Sequence, residues 1–148
     1  MTRIVALAML GALAIGPEFA LQAQGGKTFK AKLLLMPLKL EQAATLSGSG
    51  QVTAVLTGTK LSITGTYEGL KSPATGARLH RSPKGIRGPA VFDLTVSGGT
   101  SGTISGDLTL TQAQVGDLGL ERFSVQLRSE TAPEGLLWGW LQPQESAR

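Results

Sequence analysis

The chain of 148 residues contains no cysteine and a single histidine, and these two scarcities exclude several classes of protein. Without cysteine there is no disulfide framework, iron–sulfur cluster, cysteine-based zinc module or cysteine nucleophile. One imidazole also excludes a metal site built from several histidines. Aromatic residues make up 5% of the chain and apolar residues 41%, which indicates a globular protein with an aliphatic core.

Long apolar runs are missing apart from one near the N-terminus. Arg3 precedes the uncharged run Ile4–Ile15, which has 12 residues. A bilayer span needs about 20 apolar residues, so this run predicts a secretory signal rather than an uncleaved membrane anchor. We expect cleavage after Ala23, a single domain over residues 24–148 without a membrane span, and a periplasmic or secreted location.

Acidic residues are scarce in one interval of a chain whose net charge is +4. No acid occurs between Glu68 and Asp93, whereas five bases and the single histidine do. The candidate contacts for an anionic or protein partner in this interval are Arg78, His80, Arg81, Lys84 and Arg87. A solvated loop is the alternative reading of such a run. Nucleic acid is not an expected partner, because export removes the protein from it and the run has no interleaved aromatic residues.

Alternation of apolar and polar residues is the main pattern of the chain, and it predicts about seven or eight short antiparallel strands joined by glycine-rich turns. This pattern is typical of an antiparallel sandwich or barrel. The residues from 71 to 89 are expected to form a long excursion with one short extended piece, Ala77–His80, and residues 111–121 a short helix. The predicted strands are Phe29–Leu35, Val52–Leu56, Leu61–Tyr67, Phe92–Val96, Ile104–Leu110, Phe123–Leu127 and Leu136–Leu141.

Catalytic motifs are absent from this pattern. The chain has no Gly-x-Ser-x-Gly nucleophile elbow, and no glycine-rich loop precedes a convincing amphipathic helix. A serine-based triad would depend on His80, the one histidine available. We therefore expect a protein that is not an enzyme and has no catalytic residues.

Three segments together resemble the CHRD domain. Thr66-Tyr67-Glu68-Gly69-Leu70 matches a strand that ends in a Gly-Leu pair. Gly76–Leu94 is similar to the family's Ala-His-Ile-His segment, with its following Gly-x-x-Gly-Pro turn and strand, and Phe123–Leu141 is similar to the closing strand pair. The resemblance covers about Phe29 to Leu141. It implies a Greek-key antiparallel β-sandwich, similar to that of copper–zinc superoxide dismutase, used as an exported binding or assembly module.

The chain departs from the family where histidines are expected. Arg78 replaces the first histidine of the His-x-His pair, Arg128 replaces a later one, and only His80 remains. A guanidinium is not a metal ligand and repels a cation, so we expect no metal and no cofactor. Arg78, His80 and Arg128 together would favour a carboxylate, sulfate, phosphate or acidic side chain. The alternatives are solvated arginines with His80 hydrogen-bonded to a loop, or a copper-binding or redox-related envelope protein of the same fold.

The closing strand carries both tryptophans of the chain. By alternation, Leu137, Gly139 and Leu141 face the core. The residues expected on the opposite face are Leu136, Trp138 and Trp140. They are either covered by the irregular segment from residues 36 to 47 or form an apolar patch for a partner.

Overall fold

The computed structural model describes residues 26–37 and 39–145, so the predicted signal over residues 1–23 lies outside the described part of the chain. The described residues form strands joined by short connections and two helices. The strands are β1 Lys27–Leu35, β2 Ser49–Thr57, β3 Lys60–Glu68, β4 Ala74–Arg81, β5 Ala90–Val96, β6 Gly102–Thr109, β7 Phe123–Ser129, β8 Leu137–Trp140 and β9 Gln142–Pro143. The helices are α1 Leu40–Ala43 and α2 Gln112–Gly119.

Local alternation explains the strands. In β1, Phe29, Ala31 and Leu33 are buried, whereas Lys30 and Lys32 are exposed. Successive side chains of a strand point to opposite faces, so a period of two in hydropathy places one face against a core.

The β2–β3 hairpin turns through Gly58 and Thr59. Gly58 has a φ of 63°, a left-handed conformation that glycine adopts without steric cost. The hairpin that the sequence predicts is therefore present.

The sheet closes on itself, and the predicted β-sandwich is wrong in this respect. Eight strands form a closed antiparallel ring in the order β1-β2-β3-β6-β5-β4-β7-β8, and the short β9 adds to β1. Two strands change partner along their length: β1 pairs with β2 up to Leu33 and with β8 from Leu34, and β5 pairs with β4 up to Leu94 and with β6 from Thr95. Alternation of apolar and polar residues shows which side of a strand is buried. Because strands of a sandwich and of a barrel have the same alternation, the pattern does not distinguish the two folds.

The strand order also contains a Greek-key arrangement. Strands β4, β5 and β6 follow one another as antiparallel neighbours, and β7 returns to lie beside β4. The predicted extended piece Ala77–His80 is the centre of the longer strand β4, which pairs with β5 and β7. The excursion is therefore confined to the loop between β4 and β5.

Helix α2 forms where the sequence predicts one and lies in the β6–β7 connection. Thr111 accepts a hydrogen bond from the backbone of Gln114, whose side chain accepts one from the Thr111 backbone, so the helix begins with a capping box. Leu118 of this helix is fully buried and belongs to the same apolar core cluster as the strand residues. Within the described residues, no helix combines the length and the apolar character needed to cross a membrane.

Candidate functional site

The outer side of β4 and β7 carries the polar residues that the sequence singles out. On these strands Ala77, Leu79, Val125 and Leu127 are buried in the core. The alternate residues therefore point to the other side of the sheet. In the observed register, Arg78 lies opposite Gln126, His80 opposite Ser124 and Gly76 opposite Arg128.

The loop over residues 82–89 is held against this outer side. His80 Nδ1 lies 2.7 Å from the carbonyl oxygen of Gly88, and the Ser82 hydroxyl donates to the Ile86 carbonyl at 2.5 Å. A carbonyl oxygen only accepts, so Nδ1 carries the proton of the neutral ring and Nε2 has a lone pair. Arg87 extends from the loop to donate to the Glu134 carbonyl, in the connection between β7 and β8.

We name Arg78, His80, Arg87 and Arg128 the arginine face. Burial lowers the pKa of His80, the Gly88 carbonyl partly opposes this, and the charges of Arg87, Arg78 and Arg128 lower the pKa further. The charges of all three guanidinium groups therefore act on the imidazole. Arg78 lies on β4, Arg128 on β7 and Arg87 in the loop between β4 and β5.

The positive charge of the arginine face is only partly compensated. Arg78 Nε lies 3.0 Å from Asp93 Oδ1, and 86% of the Asp93 side chain is exposed. Within the described residues, Arg87 and Arg128 form no ion pair with a carboxylate. Three arginines against the single carboxylate of Asp93 leave the face with a net positive charge.

Two buried polar residues lie beside the arginine face. Gln126 is between Arg78 and Trp138 across the strands, and it is 2% exposed. Ser124 lies between His80 and Trp140, and it is fully buried. Neither was predicted as a site residue, although alternation along β7 places both on the same side as Arg128.

Several N–H groups of this region have no acceptor among the described residues. They are Gln126 Nε2, Arg128 Nε and Trp140 Nε1. Buried donors without acceptors are rare in folded proteins. The layer beneath the arginine face therefore contains more hydrogen-bond donors than acceptors.

The comparison with protein families identifies this chain. The model of the CHRD domain matches residues 35–141, from the last residue of β1 to the residue after β8. The chain belongs to the CHRD-domain family. The resemblance predicted from the sequence is thus confirmed. Comparison with curated proteins and with solved structures gives no significant match.

In this CHRD domain, two of the predicted anion contacts, Arg81 and Lys84, do not belong to the arginine face. Arg81 forms an ion pair with Asp117 of α2, which also lies 3.4 Å from Arg122. His80, the residue before Arg81, points to the outer side of the sheet, whereas Arg81 is the last residue of β4 and lies beside α2. Lys84 is exposed in the loop and, within the described residues, forms no ion pair with a carboxylate. Arg81 therefore has a structural partner, and Lys84 is a solvated residue.

The three residues predicted as an apolar patch do not form an exposed surface in this CHRD domain. Leu136 is 2% exposed and belongs to the core, because its N–H bonds the Leu127 carbonyl and its carbonyl accepts from Met36 at 3.0 Å. Trp140 is 9% exposed, and its ring lies edge-on to Trp138 with centroids 4.8 Å apart. The exposed patch is therefore wrong for Leu136 and Trp140.

Trp138 is the partly exposed member of that set, and it lines a cleft. The cleft has a volume of about 550 Å³ and lies between the segment after β1 and the β7–β8 connection. Met36 and Leu46 line it from that segment, and Arg87 lies at the same cleft. The irregular segment thus faces Trp138 across the cleft and leaves part of this ring exposed, so it does not cover the ring fully as the covered alternative expects.

The residues around His80 do not fit a copper or zinc ion. No group of three or more histidine, cysteine, aspartate or glutamate side chains within residues 26–37 and 39–145 is arranged to hold a metal. Arg78 and Arg128 place positive charge near the single imidazole. A cation at this position would be repelled rather than ligated.

Proposed function

We propose that this CHRD domain is an exported, non-catalytic binding module that holds an anionic group of a protein or envelope component on its arginine face. The observation that carries the proposal is that Arg78, Arg128 and the loop residue Arg87 lie on the same outer side of β4 and β7 as His80. Two of these arginines have no carboxylate partner within the described residues. Export is supported by the apolar run Ile4–Ile15 that follows Arg3.

The chemistry of the arginines supports an oxyanion as the bound group. A guanidinium presents its N–H donors in a planar fork that matches carboxylate, sulfate and phosphate oxygens. Arg87 donates to a backbone carbonyl, which leaves its charge uncompensated and fixes its position. Arg78 is held by Asp93 and Arg87 by the Glu134 carbonyl, so these two side chains lose less conformational entropy on binding than free ones would.

The surroundings of His80 favour binding over catalysis. Its Nδ1 is engaged by the Gly88 carbonyl rather than by a carboxylate that could orient and charge the ring. The Ser124 hydroxyl on the neighbouring strand has no hydrogen-bond partner within the described residues, so no base activates it.

Retention on a sulfated-polymer column tests the proposal. The double variant Arg78→Ala with Arg128→Ala should elute at clearly lower salt, since each charge-assisted contact contributes about 1.5–3 kcal/mol, or about tenfold or more in affinity. The matched control is Lys30→Ala with Lys32→Ala, which removes the same charge from exposed positions of β1. Arg81→Ala should elute like the unaltered protein. Equal elution of the arginine and lysine double variants, both shown to be folded, would make the proposal wrong.

A further inference from the structure

His80 is the single imidazole of the chain and the titratable member of the arginine face, because the arginines stay charged. We propose that binding of a fully ionised oxyanion to the arginine face is coupled to uptake of one proton by His80, so that the site binds more tightly as the pH falls. This inference rests on the proposed function, and it adds the protonation state that the site needs.

The hydrogen bond at Nδ1 sets the chemistry of the other ring nitrogen. Since Nδ1–H donates to Gly88 at 2.7 Å, the neutral ring has a lone pair at Nε2. A sulfate or carboxylate has acceptors only, so a lone pair beside it is repulsive. Protonation places an N–H at Nε2 and keeps the bond to Gly88, which converts the ring from an acceptor into a donor without breaking the loop contact.

The charges that act on the ring come from β4, β7 and the loop over residues 82–89; of the other bases on these elements, Arg81 is paired with Asp117 and Lys84 is exposed to solvent. Arg78 lies on β4 with the ring, Arg128 on β7 and Arg87 in the loop over residues 82–89. Asp93 on β5 is paired with Arg78 at 3.0 Å, and β8 contributes no ionisable side chain. In the free protein, three positive charges therefore act on the ring, and the exposed Asp93 carboxylate is paired with one of them.

These surroundings give the direction of the linkage. Burial and the three arginines lower the pKa of His80, so the free protein favours the neutral ring. A bound anion offsets the arginine charges and stabilises the imidazolium, which raises the pKa. Affinity is therefore lowest above both pKa values, rises as the pH falls between them, and becomes constant below both. By reciprocity, the factor by which protonation strengthens binding equals the factor by which the anion strengthens protonation.

A titration of the unaltered protein tests this directly, because its single histidine gives an unambiguous ring-proton resonance. The probe is sodium sulfate, with sodium chloride at equal ionic strength as the control. We expect the pKa of His80 to be higher in sulfate than in chloride. We also expect the sulfate dissociation constant to decrease by about fivefold or more between about pH 8 and about pH 5.

Two variants separate His80 from the general rise in positive charge at low pH. His80→Asn places an amide N–H where Nδ1 lies, so the contact with Gly88 is kept and the titration is lost. This variant should bind sulfate with little pH dependence, whereas Lys84→Gln, in the same loop, should retain the dependence of the unaltered protein.

The outcomes distinguish this inference from the proposed function. If sulfate binds at every pH with one affinity and the pKa of His80 does not move, the proton linkage is wrong and the anion site stands. If sulfate binds at no pH, both are wrong. A pH dependence that persists in His80→Asn would also overturn the linkage, since another group would then be its source.

Discussion

At the scale of single residues, the two tryptophans of the closing strand occupy different environments although they are two positions apart. Trp140 is 9% exposed beside the buried Ser124, whereas Trp138 opens on the cleft near Met36. Their rings contact edge to face at 4.8 Å, an arrangement that the aromatic quadrupole favours. On the outer side of β8, Trp140 is therefore buried, whereas Trp138 is partly exposed.

Replacing Trp140 should therefore weaken the fold more than replacing Trp138. We expect Trp140→Ala to lower the free energy of unfolding by about 3–5 kcal/mol, the usual cost of deleting a buried aromatic side chain. Trp138→Ala should cost less, because part of its ring already contacts solvent. Equilibrium unfolding in urea measures both values. A change within about 1 kcal/mol for Trp140→Ala, with loss of self-association in sedimentation, would instead support a partner surface.

At the scale of elements, closure depends on the approach of β8 to β1. The two strands share only the pairs Leu34 with Trp138 and Leu35 with Leu137. At Gly139, a Cβ atom would collide with the carbonyl oxygen of Lys32. That oxygen belongs to the backbone, so it cannot rotate away as a flexible side chain would. Glycine at this position is therefore required by the contact between strands.

Substitution of this glycine should open the contact. Gly139→Ala is expected to lower the free energy of unfolding by at least about 1–3 kcal/mol, the usual cost of overpacking. Gly116→Ala is the matched control, because the Cβ at this helix position meets no atom within 4 Å. It should raise stability by about 0.5–1 kcal/mol, since alanine is a better helix former. Thermal unfolding compares the two, and equal stability of both variants would contradict the expected collision.

At the scale of the whole molecule, the chain combines a net charge of +4 with one histidine and no cysteine. Three arginines meet on one side of the barrel, and the carboxylate of Asp117 is used by Arg81 and Arg122 on another part of the surface. The charges are therefore divided between the arginine face and the cluster of Asp117 with two arginines, in which Arg81 links β4 to α2.

This charge distribution predicts that the purified protein contains no stoichiometric copper, zinc or iron. The expected result is less than about one tenth of an equivalent of each metal after dialysis, because a single imidazole among guanidinium groups cannot complete a ligand set. Elemental analysis of the dialysed protein measures this. One equivalent of a metal that survives dialysis, and is lost in His80→Asn, would show that the ring is a ligand.

Much of the local structure follows from neighbours in the sequence. The period of two along Phe29–Leu33 and Phe123–Leu127, the turn at Gly58 and the cap at Thr111 each depend on residues a few positions apart, so the strands, the hairpin and the short helix are predictable. The shared face of Arg78 and His80 follows from the same rule. For Leu136 the rule fails, because hydrogen bonds to Leu127 and Met36 hold it in the core just before β8 begins.

Alternation does not determine which distant segments pair. This pairing closes the ring through the second partners of β1 and β5. The pairing of β4 with β7 also brings Arg128 opposite Gly76 and Gln126 opposite Arg78. Tertiary contacts also bring Arg87 to the Glu134 carbonyl in the β7–β8 connection and pair Arg81 with Asp117. The charges in the sequence do not reveal that these two arginines have different partners. Periodicity acts over one strand at a time, whereas these contacts depend on the free energy of assembling all of the strands, and so the folded molecule alone brings the arginine face together.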